Sequence, residues 1–217
     1  MEKIENYLEH TLLKPEATVD DIIDLCKKAK KYNLKAVCVN PCYVDLAKHL
    51  LTNSKVLVAA VVGFPLGATF TEIKAIEAKM VSDKLADEVD MVMNLGAFKS
   101  GNLDFVVKDI KAVVEAAKPC LVKVIIETCL LTDEEKRTAT KLVSEGGASF
   151  VKTSTGFNKG GANVFDVKIL REEADKYGIG VKAAGGIRDL KMAKELIEAG
   201  ADRIGTSAGD KICQEVN

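Results

Sequence analysis

Four charged side chains stand inside apolar runs: Asp90 in EVDMVMN, Lys123 in LVKVIIE, Lys152 in SFVKTSTGF and Lys182 in GVKAAGG. Taking an ammonium out of water is expensive, and a buried lysine without a partner tends to lose its proton instead. The resulting amine is a nucleophile suited to Schiff-base chemistry with an aldehyde or ketone. Lys152, which runs straight into a Thr-Ser-Thr-Gly turn, is the candidate nucleophile. The plainer alternative is a lysine at a strand end whose stem packs on the core while its head reaches solvent.

Alternation puts residues i and i+2 on one face of a strand. If the four runs are neighbouring strands, about 4.8 Å apart, their charges converge. Three lysines as fixed charges in one interior would not be tolerated. At least one is therefore expected to be neutral at pH 7, with Asp90 compensating another. Lys182 beside Lys152 would favour the free amine. Asp90 would move protons as a carbinolamine forms and breaks, directly or through water.

A second group of residues suits an anion. Gly185-Gly186 follows the run of Lys182, Gly205-Thr206-Ser207 follows RIG, and Gly156 closes the Thr-Ser-Thr turn. Backbone N–H groups in such loops, after the last two strands of a barrel, commonly hold phosphate. A Gly-Gly pair alone is more often only a turn.

These residues need a scaffold that brings several strand ends together. Strand patterns occupy residues 8–13, 35–40, 55–63, 88–94, 121–127, 149–153 and 180–184, with an eighth starting at Arg203. The third is apolar nearly throughout, as in a strand covered on both faces. Helical patterns lie between them: one after Thr18 carrying Ile22, Ile23, Leu25, Cys26 and Ala29, one beginning at Pro41, and others over 71–86, 103–117, 163–176 and 190–199. Thr132 and Glu135 have capping-box spacing, and Gly146-Gly147 ends that helix. A short helix opens the chain and another closes it. This alternation predicts a single α/β domain over residues 1–217, a (β/α)8 barrel with its site at the C-terminal strand ends. An open doubly wound sheet is the other arrangement, but no GxGxxG opens a helix after the first strand.

The 217 residues include 31 basic and 32 acidic side chains, net charge −1, which gives no reason to expect nucleic acid as a partner. The longest strongly apolar run, Val56 to Val62, is too short to span a bilayer, so a soluble, cytoplasmic protein without membrane partners is expected. Six cysteines without a CxxC pair, and two histidines, support neither a disulfide framework nor a metal site.

HTLLKP (His10 to Pro15), VVGFPLGATFTEIKAIEAK (Val61 to Lys79), EVDMVMNLGAFKSG (Glu88 to Gly101), VKVIIET (Val122 to Thr128), FVKTSTGF (Phe150 to Phe157), VKAAGGIRD (Val181 to Asp189) and RIGTSAG (Arg203 to Gly209) together resemble the motifs of the deoxyribose-phosphate aldolase family. The resemblance implies a class I aldolase, without metal or other cofactor, joining acetaldehyde to glyceraldehyde 3-phosphate in a dimer or tetramer. By position it makes Lys152 the Schiff-base lysine, Lys182 its proton-handling neighbour and Asp90 the proton donor or acceptor. Gly185, Gly186 and Ser207 fall at phosphate positions. Where some members carry a lysine after TSTG this chain has Phe157, which leaves Lys159 as a substitute. Some members also end in a tyrosine that assists proton transfer; the sequence ends at Asn217 without one, which would leave that role to Asp90, Lys182 and water. Cys38 would lie on the acceptor side, either as core filler or as a thiol open to aldehyde adducts.

Two other readings remain at this point. One is a class I barrel aldolase with a different donor, such as a keto acid, for which Arg188 is the arginine at hand. The other is a non-catalytic barrel that binds a sugar phosphate and never forms an imine.

Overall fold

The structure, a computed structural model, describes residues 3–216. Asn217, and with it the expectation about the terminal residue, lies outside the described residues. A 3-10 turn at Ile4–Asn6 stands where a short opening helix was expected. Eight parallel strands follow, β1 Leu8–Leu12, β2 Ala36–Val39, β3 Leu57–Val62, β4 Glu88–Val92, β5 Leu121–Ile125, β6 Phe150–Lys152, β7 Gly180–Ala184 and β8 Arg203–Thr206, and they close into a barrel in sequence order. Closure is direct: Glu9 of β1 is in register with Ala36 of β2 on one side and Gly205 of β8 on the other.

The helices outside are α1 Val19–Lys31, α2 Val44–Leu50, α3 Thr71–Asp83, α4 Leu95–Lys99, α5 Leu103–Ala117, α6 Asp133–Glu145, α7 Val164–Ala174, α8 Leu190–Glu198 and α9 Gly209–Gln214. Their starts follow from local chemistry. Thr18 and Asp21 form a capping box on α1, and Thr132 and Glu135 form another on α6, each pairing orphan backbone N–H groups with side-chain oxygens. Pro41 opens a 3-10 turn that leads into α2. Helix α3 stops at Asp83, short of the expected Ala86, because Leu85 adopts a left-handed backbone with φ of 66°. The short α4 was not anticipated; Asn94 caps it through the Ala97 N–H. Among the described residues no helix is long and apolar enough to cross a membrane.

The barrel has two apolar cores of unequal size. The larger lies between strands and helices, where Val37, Val58, Val89, Val124 and Val181 meet Ile22, Ile110 and Leu170. The smaller lies inside the barrel on the β1–β3 side, and consists of Leu13, Cys38, Ala59 and Val61 with Phe64 against them. Toward β4–β8, and at Glu9 of β1 beside β8, the interior is charged. That division decides where chemistry can occur.

Candidate active site

Lys152 is the last residue of β6 and is 2% exposed. It is in register with Lys182 on β7 and with Ile125 on β5, while Asp90 on β4 is in register with Lys123 on β5. The four predicted charges therefore do meet inside the barrel. Asp90 is the hub. Its Oδ2 accepts from Lys152 Nζ at 2.7 Å and from Lys182 Nζ at 2.6 Å, and its Oδ1 accepts from Lys123 Nζ at 2.9 Å.

The sequence reading had Asp90 compensate one lysine; two further carboxylates join it. Glu9 on β1 accepts from Lys182, and Glu88, two residues before Asp90 on β4, accepts from Lys123 at 2.5 Å. Arg203, the first residue of β8, donates to Glu9 Oε1 at 3.3 Å and Glu88 Oε1 at 3.2 Å, and its guanidinium lies 5.7 Å from the centroid of the Phe150 ring. The buried cluster thus holds four basic groups and three carboxylates.

Burial without water would drive each of these groups toward its neutral form, and their mutual charge reverses that. Burial alone would raise the Asp90 carboxyl, but Lys123, Lys152 and Lys182 hold it well below the usual carboxylate range. Glu9 is likewise lowered against its own burial by Lys123 and Lys182. Burial alone would lower Lys182, yet Asp90 and Glu9 push it above the ordinary lysine value, and Lys123 is raised in the same way. Lys182 is a persistent cation whose ammonium shares one carboxylate oxygen with the Nζ of Lys152.

Above Lys152 opens a cavity of about 310 Å3. It is lined by the residues singled out for anion binding, Gly156, Gly185, Gly186, Gly205, Thr206 and Ser207, together with Thr155, Phe157, Lys14 and Arg188. Its charged lining residues are Lys14, Lys152 and Arg188, with no carboxylate among them. Gly185 and Gly186 have φ of 94° and 79°, left-handed values that a side chain would strain. Gly205 serves differently: a Cβ there would lie 3.1 Å from Lys182 Cε, so the missing side chain makes room for the lysine. The Thr206 hydroxyl is engaged within its own loop, donating to the Ile187 carbonyl at 2.7 Å and accepting from the Ala208 N–H at 2.9 Å. Ser207 is exposed beside it. Lys159 is exposed and does not line this cavity, so the second cation at its mouth is Lys14.

Cys38 is fully buried, its Sγ 4.0 Å from Asp90 Oδ2, and burial followed by the Asp90 charge pushes the thiol up to about 11. It is core filler; the exposed thiols are Cys42 and Cys129. Besides Lys14, the sequence reading missed Glu9, Glu88, Arg203 and Glu127. Glu127 has a left-handed backbone, φ 52°, and its buried carboxylate accepts from the Thr155 hydroxyl at 2.5 Å and the Thr155 N–H at 3.2 Å, pinning the turn that forms one wall of the cavity. Among the described residues no group of three or more His, Cys, Asp or Glu side chains is placed to hold a metal ion.

A family model described as DeoC/LacD family aldolase matches residues 7–215. The chain belongs to that family. Within the DeoC/LacD aldolases it is 54% identical over 214 residues to a deoxyribose-phosphate aldolase of Clostridium tetani, covering 98% of this chain and 99% of that one. It is 55% identical over 215 residues to a deoxyribose-phosphate aldolase of Thermococcus gammatolerans, covering 97% of this chain and 95% of the relative. Among solved structures, an aldolase designated QR15 superposes with a TM-score of 0.95 at 42% identity over 100% of this chain and 96% of that one. A tetrameric deoxyribose phosphate aldolase from Aeropyrum pernix superposes with a TM-score of 0.92 at 34% identity, over 98% and 90% of the two chains.

Proposed function

We propose that this chain is a class I aldolase that reversibly cleaves 2-deoxy-D-ribose 5-phosphate to acetaldehyde and D-glyceraldehyde 3-phosphate through an imine on Lys152. The observation that carries the reading is the placing of Lys152, at the base of a cavity free of carboxylates, with its Nζ on the Asp90 oxygen that Lys182 also holds.

The free amine of Lys152 attacks the aldehyde carbon of the open-chain sugar, and proton transfer to the former carbonyl oxygen gives a carbinolamine. Loss of water, with a proton delivered to the departing hydroxyl, leaves an iminium. Removal of the proton from the C3 hydroxyl lets the C2–C3 bond break. Its electron pair flows to the iminium nitrogen, which yields an enamine and releases glyceraldehyde 3-phosphate. Protonation of the enamine carbon and hydrolysis of the new iminium return acetaldehyde and Lys152. Asp90 and Lys182 are the groups within reach of the nitrogen to carry these protons. The phosphate is assigned to the backbone of Gly156, Gly185, Gly186, Gly205 and Thr206 and to Ser207, with Lys14 and Arg188 at the mouth. That use of Arg188 favours a phosphate over a keto-acid donor.

The same reading takes residues 1–217 as one domain, places the protein in the cytoplasm among the enzymes of deoxynucleoside breakdown, and assembles it as a dimer or tetramer. The test is borohydride reduction in the presence of acetaldehyde, followed by peptide mapping, on wild type and Lys152→Ala. A reduced adduct on Lys152 that disappears in the variant is expected. Binding of the sugar phosphate without any adduct would replace the enzyme with a non-catalytic binding protein.

A further inference from the structure

The charged interior continues below the reacting lysine to the opposite, N-terminal end of the barrel. Arg203, Glu88 and Phe150 are the first residues of β8, β4 and β6 and form its floor. Each floor carboxylate hydrogen-bonds two cations, and Glu9 Oε2 also lies 3.7 Å from Lys123 Nζ. Glu9 offers Oε1 to Arg203 and Oε2 to Lys182; Glu88 offers Oε1 to Arg203 and Oε2 to Lys123. Lys123 and Lys182 then meet on Asp90, which also holds Lys152. The groups facing Arg203 are therefore Glu9, Glu88 and the Phe150 ring, with Lys123, Lys182 and Asp90 directly behind them. Its side chain is 11% exposed, so water screens it little, and a guanidinium does not give up its proton.

We infer that Arg203 is a positioning residue that sets the proton balance of the site from the barrel floor, supplying the one positive charge by which bases outnumber acids in the buried cluster. With Arg203 present, the cluster reaches neutrality only when one lysine amine has released its proton. Lys152, at the end of the chain of charges nearest the cavity, is the amine that substrate can reach. Without Arg203, three protonated lysines would balance three carboxylates, and nothing in the charge count would favour a free amine. The inference rests on Lys152 as the imine-forming residue.

Two substitutions of opposite sign test it. Arg203→Met removes a positive charge, and Glu88→Gln, which keeps the shape of the side chain, removes a negative one. The pH dependence of borohydride trapping on Lys152 is expected to move its acid limb up by about one pH unit in Arg203→Met and down by a similar amount in Glu88→Gln. Arg203→Lys should stay with wild type. An acid limb common to all of them, or shifts in the same direction, overturns the inference, as does a loss in Arg203→Met that is uniform across pH. Should Arg203→Met not fold, Glu88→Gln and Arg203→Lys still decide the sign. Titration of the lysine side chains by NMR reads the same displacement without substrate. Opposite shifts there with no adduct in wild type would sink the imine and leave the charge balance standing.

Discussion

The side-chain nitrogens of Lys152 and Lys182, register partners on neighbouring strands, meet at a single oxygen, Oδ2 of Asp90. Lys182 is held as a cation there, and of the two amines only Lys152 borders the cavity. This pairing distinguishes the roles of two lysines that look alike in the sequence.

Replacing Lys182 should separate chemistry from binding. In Lys182→Met, kcat is expected to fall roughly 100- to 10,000-fold, the range for a lost proton-handling group. KM for the sugar phosphate should change little, because Lys182 does not border the cavity. Steady-state kinetics checks this, and an unchanged kcat would remove Lys182 from the reaction.

Asp90→Asn should cost both activity and stability. It leaves three lysines on an amide in place of a carboxylate, and breaking a buried ion pair costs about 3–5 kcal/mol. Denaturant unfolding measures the loss. A variant as stable as wild type would mean that Glu9 and Glu88 alone suffice to hold the lysines.

The folded protein should have a broad plateau of stability against pH. Asp90 and Glu9 are lowered from ordinary values of 3.8 and 4.5, so their stabilisation is full above those values and is lost as pH falls below them. Lys123 and Lys182 are raised from 10.5, so theirs is full below that value and is lost as pH climbs past it. Two further sets of groups narrow the plateau: burial lowers His10 from 6.5, so its contribution is lost as pH falls below that value, and burial raises the thiols of Cys26, Cys38 and Cys213 from 9.0 to about 11, so theirs is lost as pH climbs past 9. A melting temperature level between about pH 6.5 and 9, falling gently just outside that span and steeply beyond the limits of the carboxylates and lysines, is expected. A steep fall on the alkaline side beginning near neutrality would contradict the assigned charges.

Thiol labelling should follow burial. At pH 8 iodoacetamide is expected to modify Cys42 and Cys129 and to spare Cys38, which is shielded and whose thiolate is disfavoured beside Asp90. Peptide mapping after a short exposure gives the answer, and early labelling of Cys38 would show that the barrel interior opens.

The phosphate loops depend on close backbone packing. A Cβ at Gly161 would lie 2.3 Å from the Gly185 carbonyl oxygen, so Gly161→Ala must displace the loop after β7. Misplacement of about 1 Å can cost 100-fold in rate. The loss should be confined to phosphorylated substrate; an equal loss with deoxyribose itself would argue against a phosphate role for that loop.

What the sequence made legible was charge in unexpected surroundings. Asp90, Lys123, Lys152 and Lys182 interrupt apolar runs, and an apolar run is itself a sign of a strand covered on both faces, so the strands and their anomalies were found together. Glu88 and Arg203 stand at strand beginnings, where charge is ordinary, and Glu9 sits in a polar stretch, LEHTLL. Nothing local marks them; their partners are supplied by strands far away in sequence. Glu88 was nonetheless within reach, since it shares the face of Asp90 by simple alternation. Glu127 depended on a left-handed backbone that a glutamate seldom adopts. Lys159 was named for its nearness in sequence to TSTG; the course of the loops puts Lys14 at the cavity instead.

The ion network also ties the two ends of the chain together. Glu9 meets Lys182 across 173 residues and Arg203 across 194. A nascent or truncated chain that has laid down β1 to β6 already holds Lys123, Lys152, Asp90, Glu9 and Glu88, but lacks the cations that complete Glu9. Two lysines then face three carboxylates, and the charge stays unbalanced until Lys182 and Arg203 arrive on β7 and β8; long-range contacts of this kind form late. Half-barrels of this sequence should therefore remain hydrated and loosely packed, with the final collapse of the interior waiting on the last strands to join the first.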